Sequence, residues 1–311
     1  MKIAAFNVQR LGRNKVNKED VREIIIKIVS QYSVVLLVEV TDVSGVAMET
    51  FLTHLNDYGD NESNPYDMLC SESLGPNRYK EKFVYFYRKK EVQILDSYQY
   101  ADNDEHVIHR QPLVVLLKCP NTVVQKLVLI PVHTKPSNAE TELNALHLVV
   151  EDVREIWQND NIMILGDFNA DGKYLSKRKK ETLSIFCAPY RRLIVDDVDT
   201  TTSNKTQNAY DRIVVLENLL KAIVPDSAHA YNFKEELNLT QEKTKRVSDH
   251  YPVEVELKEE SEVELVEQME KLELEQMAQR KMNPVRPLTG GRPQGAQKKK
   301  ADLAATKGKR V

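Results

Sequence analysis

Cysteine is scarce in this chain: Cys70, Cys119 and Cys187 are the only three in 311 residues, an odd number at wide spacing. That pattern argues against a disulfide framework and suits a reducing compartment, with the thiols buried or incidental. Also lacking is any apolar run of the roughly 20 residues needed to cross a bilayer, so no membrane span is expected. The opening Met1-Lys2-Ile3-Ala4-Ala5-Phe6 reads as a strand, without the longer apolar segment and cleavage site of a secretory signal. A cytoplasmic or nuclear protein is expected if the chain is native from Met1, and a secreted one if a signal has been removed. Asn61-Glu62-Ser63, Asn204-Lys205-Thr206 and Asn238-Leu239-Thr240 fit the glycosylation pattern, which matters only in the second case. There is no excess of positive charge either, since the formal net charge is -3 and the sequence pI about 6.2. Without a global basic field, affinity for nucleic acid has to come from local basic residues and a metal ion. No Gly-x-Ser-x-Gly elbow, phosphate-cradling glycine loop, His-Glu-x-x-His or Cys-x-x-Cys is present, so the chemistries those motifs serve find no support.

What is present is a composition of 41% hydrophobic and 29% charged residues, enough for a full-sized core in one large domain or two small ones. Val21, Ile24, Ile25, Ile28 and Val29 share one helical face behind Asn17. Leu143, Leu146, Val150, Val153 and Trp157 share another behind Ser137, with Glu140 placed for a capping box. Apolar, β-branched runs at 34–38, 83–87, 113–117, 127–130, 162–165 and 213–215 read as strands. Several of them, 34–38 and 162–165 above all, are apolar throughout, as strands covered on both faces are. The expected architecture is therefore α/β, with two stacked sheets and helices outside. Residues 258–280 are glutamate-rich with Leu265, Met269, Leu272 and Gln276 at helical spacing, which predicts an acidic amphipathic helix. Residues 281–311, with scattered proline and glycine and two basic clusters, predict a disordered basic tail, so the catalytic domain is expected over 1–257.

Polar residues gather at the ends of these strands: Asn7 after 3–6, Glu39 after 34–38, His133 after 127–132, and Asp167 with Asn169 after 162–165. Asp211 and Asp249-His250 stand just before two more. Strand ends are where layered α/β domains build their sites. Hard carboxylate oxygens suit Mg²⁺ or Mn²⁺, and imidazoles of near-neutral pKa take a proton from water and return one to a leaving oxygen, which is the inventory of phosphodiester hydrolysis. Singly, Glu39 reads as a strand-end charge, His133 as a loop histidine and Asp249 as a cap; together they point to a site. His54, His106, His109, His147 and His229 have no such company.

Six segments carry more than chemistry: Lys2-Ile3-Ala4-Ala5-Phe6-Asn7, Val38-Glu39-Val40, Tyr79-Lys80-Glu81, Gly166-Asp167-Phe168-Asn169-Ala170-Asp171, Ala209-Tyr210-Asp211-Arg212-Ile213-Val214-Val215 and Ser248-Asp249-His250-Tyr251-Pro252-Val253-Glu254-Val255. In this order they resemble the signature segments of the deoxyribonuclease I family. The resemblance implies the four-layered α/β sandwich of the endonuclease/exonuclease/phosphatase superfamily, two stacked mixed β-sheets flanked by helices. It further implies a monomeric, Mg²⁺- or Mn²⁺-dependent DNA endonuclease. By that resemblance Glu39 is the principal metal ligand, with Asn7 and Asp249 near the metal and scissile phosphate. Glu81 orients His133, Asp211 orients His250, and Asp167 and Asn169 hold the phosphoryl oxygens. Tyr79 resembles a minor-groove stacking residue and Arg110 a phosphate contact, with Asn169 also at the DNA.

The departures from the family pattern are specific. Thr41 stands where the prototype inserts an arginine into the minor groove. Gly172 and Asn208 occupy the positions of the family's main disulfide, and the loop 101–106 lacks the second pair. Met68 and Cys70 replace residues of the actin-contacting strand, so actin binding is not expected. The segment from Asp199 to Thr206 resembles a structural Ca²⁺ loop with altered spacing. Two other function classes stay open: a phosphatase or phosphodiesterase on inositol or lipid substrates, which shares the metal and histidine core, and a nonenzymatic DNA- or protein-binding module, which predicts a lost catalytic group. Tyr79-Lys80-Glu81, Arg110 and the segment 211–215 lie nearest the DNA-cutting branch.

Overall fold

In a computed structural model of the chain, residues 1–75, 80–101 and 107–260 are described. Their apolar runs pair into β1 (Lys2–Leu11), β2 (Val34–Val40), β3 (Tyr66–Cys70), β4 (Lys82–Arg88), β5 (Gln93–Gln99), β6 (Leu113–Lys118), β7 (Lys126–His133), β8 (Ile162–Asp167), β9 (Tyr190–Arg192), β10 (Asp211–Leu216), β11 (His229–Ala230) and β12 (Val253–Glu256). Two six-stranded sheets result, in the orders β11-β12-β1-β2-β4-β3 and β5-β6-β7-β8-β10-β9. Each is mixed, with β1 parallel to β2 in one and β7 parallel to β8 in the other.

The period of two along each strand explains the layering. Ile3, Ala5, Leu36 and Val38 face Leu127, Leu129, Met163, Leu165, Ile213 and Val215 between the sheets. Their alternates Ala4, Phe6, Val35 and Leu37 pack outward on Ile25, Ile28 and Phe51 of the helices Glu19–Val29 and Val46–Asn56. On the far side Val128, Ile130, Ile162 and Ile164 pack on Leu143, Leu146, Val150 and Val153 of the helix Ala139–Trp157. Three apolar layers thus make a four-layered α/β sandwich, as the all-apolar strands predict. No helix among the described residues is long and apolar enough to cross a membrane.

Some local expectations are corrected. Asn17 ends a short helix, Arg13–Val16, and Lys18 precedes Glu19–Val29. The capping box from Ser137 does not form: Pro136–Asn138 makes a turn of 3₁₀ helix, Asn138 takes the cap position, and no side chain caps it. The helix expected from 258 does not begin there, because Glu259 bridges Thr122. Met1–Glu260 forms one compact unit. The expected helix over 261–280 and tail over 281–311 lie outside the described residues, as do Tyr79 and loop residues 102–106.

Cys70 is half-buried on the edge strand β3, Cys119 buried and Cys187 exposed, and all three are free thiols. Gly172 and Asn208 nevertheless lie against each other: a Cβ added to Gly172 would meet Asn208 Oδ1 at 2.5 Å. Beside them Asp171 Oδ2 accepts the Ala209 amide at 2.9 Å, and Lys180 Nζ joins Asp171 Oδ1 to Asp196 Oδ2 at 2.8 and 3.1 Å. Hydrogen bonds and ion pairs fasten the two loops here.

Gly166 sets how closely β7 and β8 approach just before the site. Its φ is 137°, and an added Cβ would lie 2.1 Å from the Val132 carbonyl oxygen. Both the backbone conformation and the space admit glycine alone. Gly166→Ala should therefore lower stability by ~3 kcal/mol or more, read as the shift of the urea midpoint at constant slope. A midpoint within error of the unaltered protein would show that the two strands separate at little cost.

Candidate active site

Strand register assembles the site. His133 ends β7, Asp167 ends β8 and Asp211 begins β10, and the pairing sets His133 opposite Asp167 and Asp167 opposite Asp211 in one row. All three are nearly inaccessible, as is Asn169. The other sheet contributes Asn7, paired with Val38, and Glu39. Asn7 links the sheets, its Nδ2 donating to Glu39 Oε1 and Asp167 Oδ2, each at 3.0 Å.

The two histidines converge on Asp167. His133 Nδ1 lies 2.8 Å from Glu81 Oε2, which turns Nε2 toward Asp167 Oδ2 at 3.7 Å and Glu39 Oε1 at 3.8 Å. His250 Nδ1 lies 2.7 Å from Asp211 Oδ2, with Nε2 3.9 Å from the same Asp167 Oδ2. Asp167 Oδ1 accepts the Asn169 amide at 2.9 Å, and Asn169 Nδ2 donates to the Thr134 carbonyl at 3.1 Å. Ser248 braces the opposite wall: its hydroxyl donates to the Asn7 carbonyl at 2.6 Å and accepts the His250 amide at 3.1 Å. Asp249 is exposed at the rim.

Backbone strain concentrates here. Gln9, Arg10, Glu39 and Asn169 have φ of 45°, 57°, 61° and 48°, the left-handed region that L-residues other than asparagine and aspartate seldom enter. In β1 this accompanies a bulge between Asn7 and Leu11, and in β2 another between Leu37 and Val40. Both irregularities re-aim side chains into the site. The sequence reading missed Lys15, whose Nζ donates to the Val8 and Gln9 carbonyls at 2.8 and 3.0 Å and so clasps the first bulge. Burial pushes its ammonium down to about 8, while Asp249 and Glu39 pull it upward. A lysine placed to cap carbonyls rather than to face solvent gives no periodic signal.

The structure places Arg110 on Glu81, Nε at 2.8 Å from Oε2 and an Nη at 3.1 Å from Oε1, with its other Nη donating to the His133 carbonyl at 3.2 Å. Burial opposes the Glu81 charge, but the hydrogen bonds and charges of His133 and Arg110 outweigh it and hold the carboxyl down to about 2. Burial raises Asp211 to about 6. Burial also opposes the His250 charge, yet the carboxylates of Asp211, Asp167 and Asp249 prevail, and its pKa lies well above the ordinary 6.5. The buried pair holds its proton tightly.

For a cation, the donors are oxygen-rich. Asp167, Asp211 and His250 offer atoms within 4.8 Å of one another. His250 gives Nδ1 to Asp211, so this trio reads as an acid–base pair facing a carboxylate. Glu39 is the better ligand, half-buried, with Oε1 on Asn7 and Oε2 taking no hydrogen bond among the described residues. Such donors fit hard divalent ions. In the segment from Asp199 to Thr206, Asp199 Oδ1 accepts from Thr201 N, Thr201 Oγ1 and Asn208 N at 3.0, 2.8 and 3.2 Å.

Residues 4–250 match the Endonuclease/Exonuclease/phosphatase family. The chain is 40% identical over 258 residues to human Deoxyribonuclease-1-like 1, covering 83% of this chain and 84% of the relative. It is 38% identical over 264 residues to rat Deoxyribonuclease-1, covering 83% and 92%. Among solved structures, an endonuclease/exonuclease/phosphatase family protein from Leptotrichia buccalis superposes with TM-score 0.59 at 20% identity, covering 83% of this chain and 99% of that one. The human Nocturnin catalytic domain does so with TM-score 0.58 at 16% identity, covering 84% and 94%. At those identities the structures speak for the fold alone.

The Glu81 carboxyl lies below its unfolded value of 4.5 when folded, so its stabilising contribution is complete above that pH and is lost as pH falls toward about 2. The depression amounts to on the order of 3 kcal/mol at most. The stability difference between the protein and Glu81→Gln, measured by urea unfolding, should be full at pH 6 and narrow steadily from pH 4.5 to 3. A gap that stays constant over that range would mean that Glu81 draws no charge stabilisation from Arg110 and His133.

Proposed function

The chain belongs to the deoxyribonuclease I family within the endonuclease/exonuclease/phosphatase superfamily, and from that premise we propose that it is a divalent-metal-dependent endonuclease hydrolysing DNA phosphodiester bonds. One observation carries the reading: two imidazoles, each backed at Nδ1 by its own carboxylate, present Nε2 to the same oxygen of Asp167 from 3.7 and 3.9 Å. A lone histidine–carboxylate pair serves many reactions. Two of them facing one polar gap serve a reaction that takes a proton on one side and returns one on the other.

Glu81 and Asp211 fix the tautomers, each accepting Nδ1–H, so that Nε2 does the proton work. One Nε2 withdraws the proton of the attacking water, and the other supplies a proton to the departing sugar oxygen. Asn169, pinned to the Thr134 carbonyl, would hold a phosphoryl oxygen through its side-chain amide, and Asp167, fixed by the Asn169 backbone amide, would place the attacking water or leaving group between the rings. Glu39, with Asn7 and Asp249 beside it, would hold Mg²⁺ or Mn²⁺, which when bound neutralises charge on the phosphoryl group. Arg110 spends three contacts on Glu81 and the His133 carbonyl, and as a donor of five N–H bonds it keeps others for a backbone phosphate. Tyr79 would stack in the minor groove. The substrate is DNA and the working form a monomer.

The test is nicking of supercoiled plasmid by the full chain in Mg²⁺, abolished by chelator. His133→Ala and His250→Ala should each slow it by ~100-fold or more, and the double variant by less than the product of the two. Near-unaltered nicking by either single variant removes that histidine from the mechanism. Glu39→Gln keeps the shape and loses the charge, so it should require more Mg²⁺ for half-maximal rate; an unchanged metal titration would sink Glu39 as a ligand.

A further inference from the structure

A track of side chains leads away from His250 to a concentration of positive charge that the catalytic chemistry does not use. The Tyr210 ring lies 6.2 Å from the His250 ring, the Tyr174 ring 5.4 Å from Tyr210, and Lys173 Nζ 5.0 Å from the Tyr174 centroid. Both tyrosines are half-buried and Lys173 is exposed. Ser176 then caps a single helical turn, Lys177–Lys180, made of four basic residues. From 173 to 180 the sequence carries five cations and no carboxylate, in a chain whose net charge is -3.

The five cations divide by environment. Lys180 is buried and bound to Asp171 and Asp196, and Asp196 in turn accepts from the fully buried Arg212 at 2.7 Å. Arg212 follows Asp211, the partner of His250, so the segment is anchored to the strand that carries the site. Lys179 pairs with Glu140 at 2.6 Å. Lys173, Lys177 and Arg178 are exposed, and none has a carboxylate within 4.0 Å among the described residues. Neighbouring Glu181 is exposed and pairs with none of them. A surface charge run is commonly no more than a solvated face, but here three unpaired cations sit on an internally fastened segment that adjoins the site. Three or four residues of chain span at most about 14 Å, so Lys177 and Arg178 stay close to Tyr174. Backbone charges on one DNA strand recur every ~3.4 Å along the helix axis, so the distance from His250 to these cations corresponds to a few nucleotides.

We propose that Lys173, Lys177 and Arg178 form an accessory phosphate-binding subsite, which holds the backbone of DNA on the His250 side beyond the phosphate being cut. This rests on the reading of the central site as DNA-cutting. The subsite supplies affinity and direction to the strand and takes no part in the bond-breaking step. It also gives local positive charge to a chain that lacks a basic field overall.

The test uses the full chain and the triple variant Lys173→Ser/Lys177→Ser/Arg178→Ser. A fluorescent 20-base-pair duplex is titrated in chelator, where no cleavage occurs, across a series of NaCl concentrations. Because each neutralised phosphate contributes ~0.9 to the slope of log affinity against log salt, the variant's slope should be shallower by about 2 to 3. The plasmid KM should rise by ~10-fold or more, while turnover of bis(p-nitrophenyl) phosphate, too small to reach the patch, and the melting temperature stay unchanged. An unchanged slope and KM overturns the subsite, and so does loss of small-substrate turnover or of melting temperature, which would make the cations structural. Failure of the functional reading looks different: the unaltered chain itself then neither nicks plasmid nor binds the duplex.

Discussion

Everything at the candidate active site depends on one carboxyl group being held where water scarcely reaches it. Asp167 is 2% exposed. A polar group so buried is costly unless its oxygens are satisfied, and here Oδ1 has the Asn169 backbone amide and Oδ2 the Asn7 side-chain amide, with two imidazoles close by. Those partners come from four separate stretches of chain. The inter-strand register is what brings them to one point: a slip of one residue in β7 or β10 would send His133 or Asp211 to the opposite face of its sheet. The packed layers between and outside the sheets are accordingly the device that holds a charge distribution in place.

The left-handed backbone at Gln9, Arg10, Glu39 and Asn169 is the counterpart of that arrangement. At Gln9, Arg10 and Glu39 this costs on the order of 1–3 kcal/mol each, and less at Asn169, whose short polar side chain suits the region, and the surrounding contacts must offset it. They do so visibly: Lys15 ties down the carbonyls of Val8 and Gln9, Asn7 Oδ1 accepts the Gln9 amide at 3.0 Å, and the Asn169 side chain is pinned to Thr134. Preorganisation of this kind means that little rearrangement remains when a phosphate arrives.

How much of this was legible in the sequence follows from which interactions are local. The apolar strands were readable because burial on both faces leaves an unbroken apolar run, and the two long helices because burial of one face repeats apolar residues at helical spacing. The polar residues at strand ends were readable because such positions have few structural reasons to be histidine or aspartate. The extension of β1 through its bulge to Leu11 was not, since nothing in Gln9-Arg10 announces positive φ. Nor was the Arg110–Glu81 ion pair, which joins residues 29 apart in sequence. The missing cap at Ser137 has a local cause that the pattern hid: Pro136 fixes a 3₁₀ turn that moves the helix start to Asn138.

The contact between Gly172 and Asn208, with the Asp171–Lys180–Asp196 ion pairs around it, fastens two loops without any covalent bond. A fastening of that sort has no oxidation state. It opens and re-forms with the rest of the fold, needs neither oxidant nor thiol exchange to find its partner, and cannot be trapped in a wrong pairing. With Lys180 buried between its carboxylates, what governs the integrity of these loops is the packing that keeps water and salt from the ion pairs rather than the redox potential of the compartment.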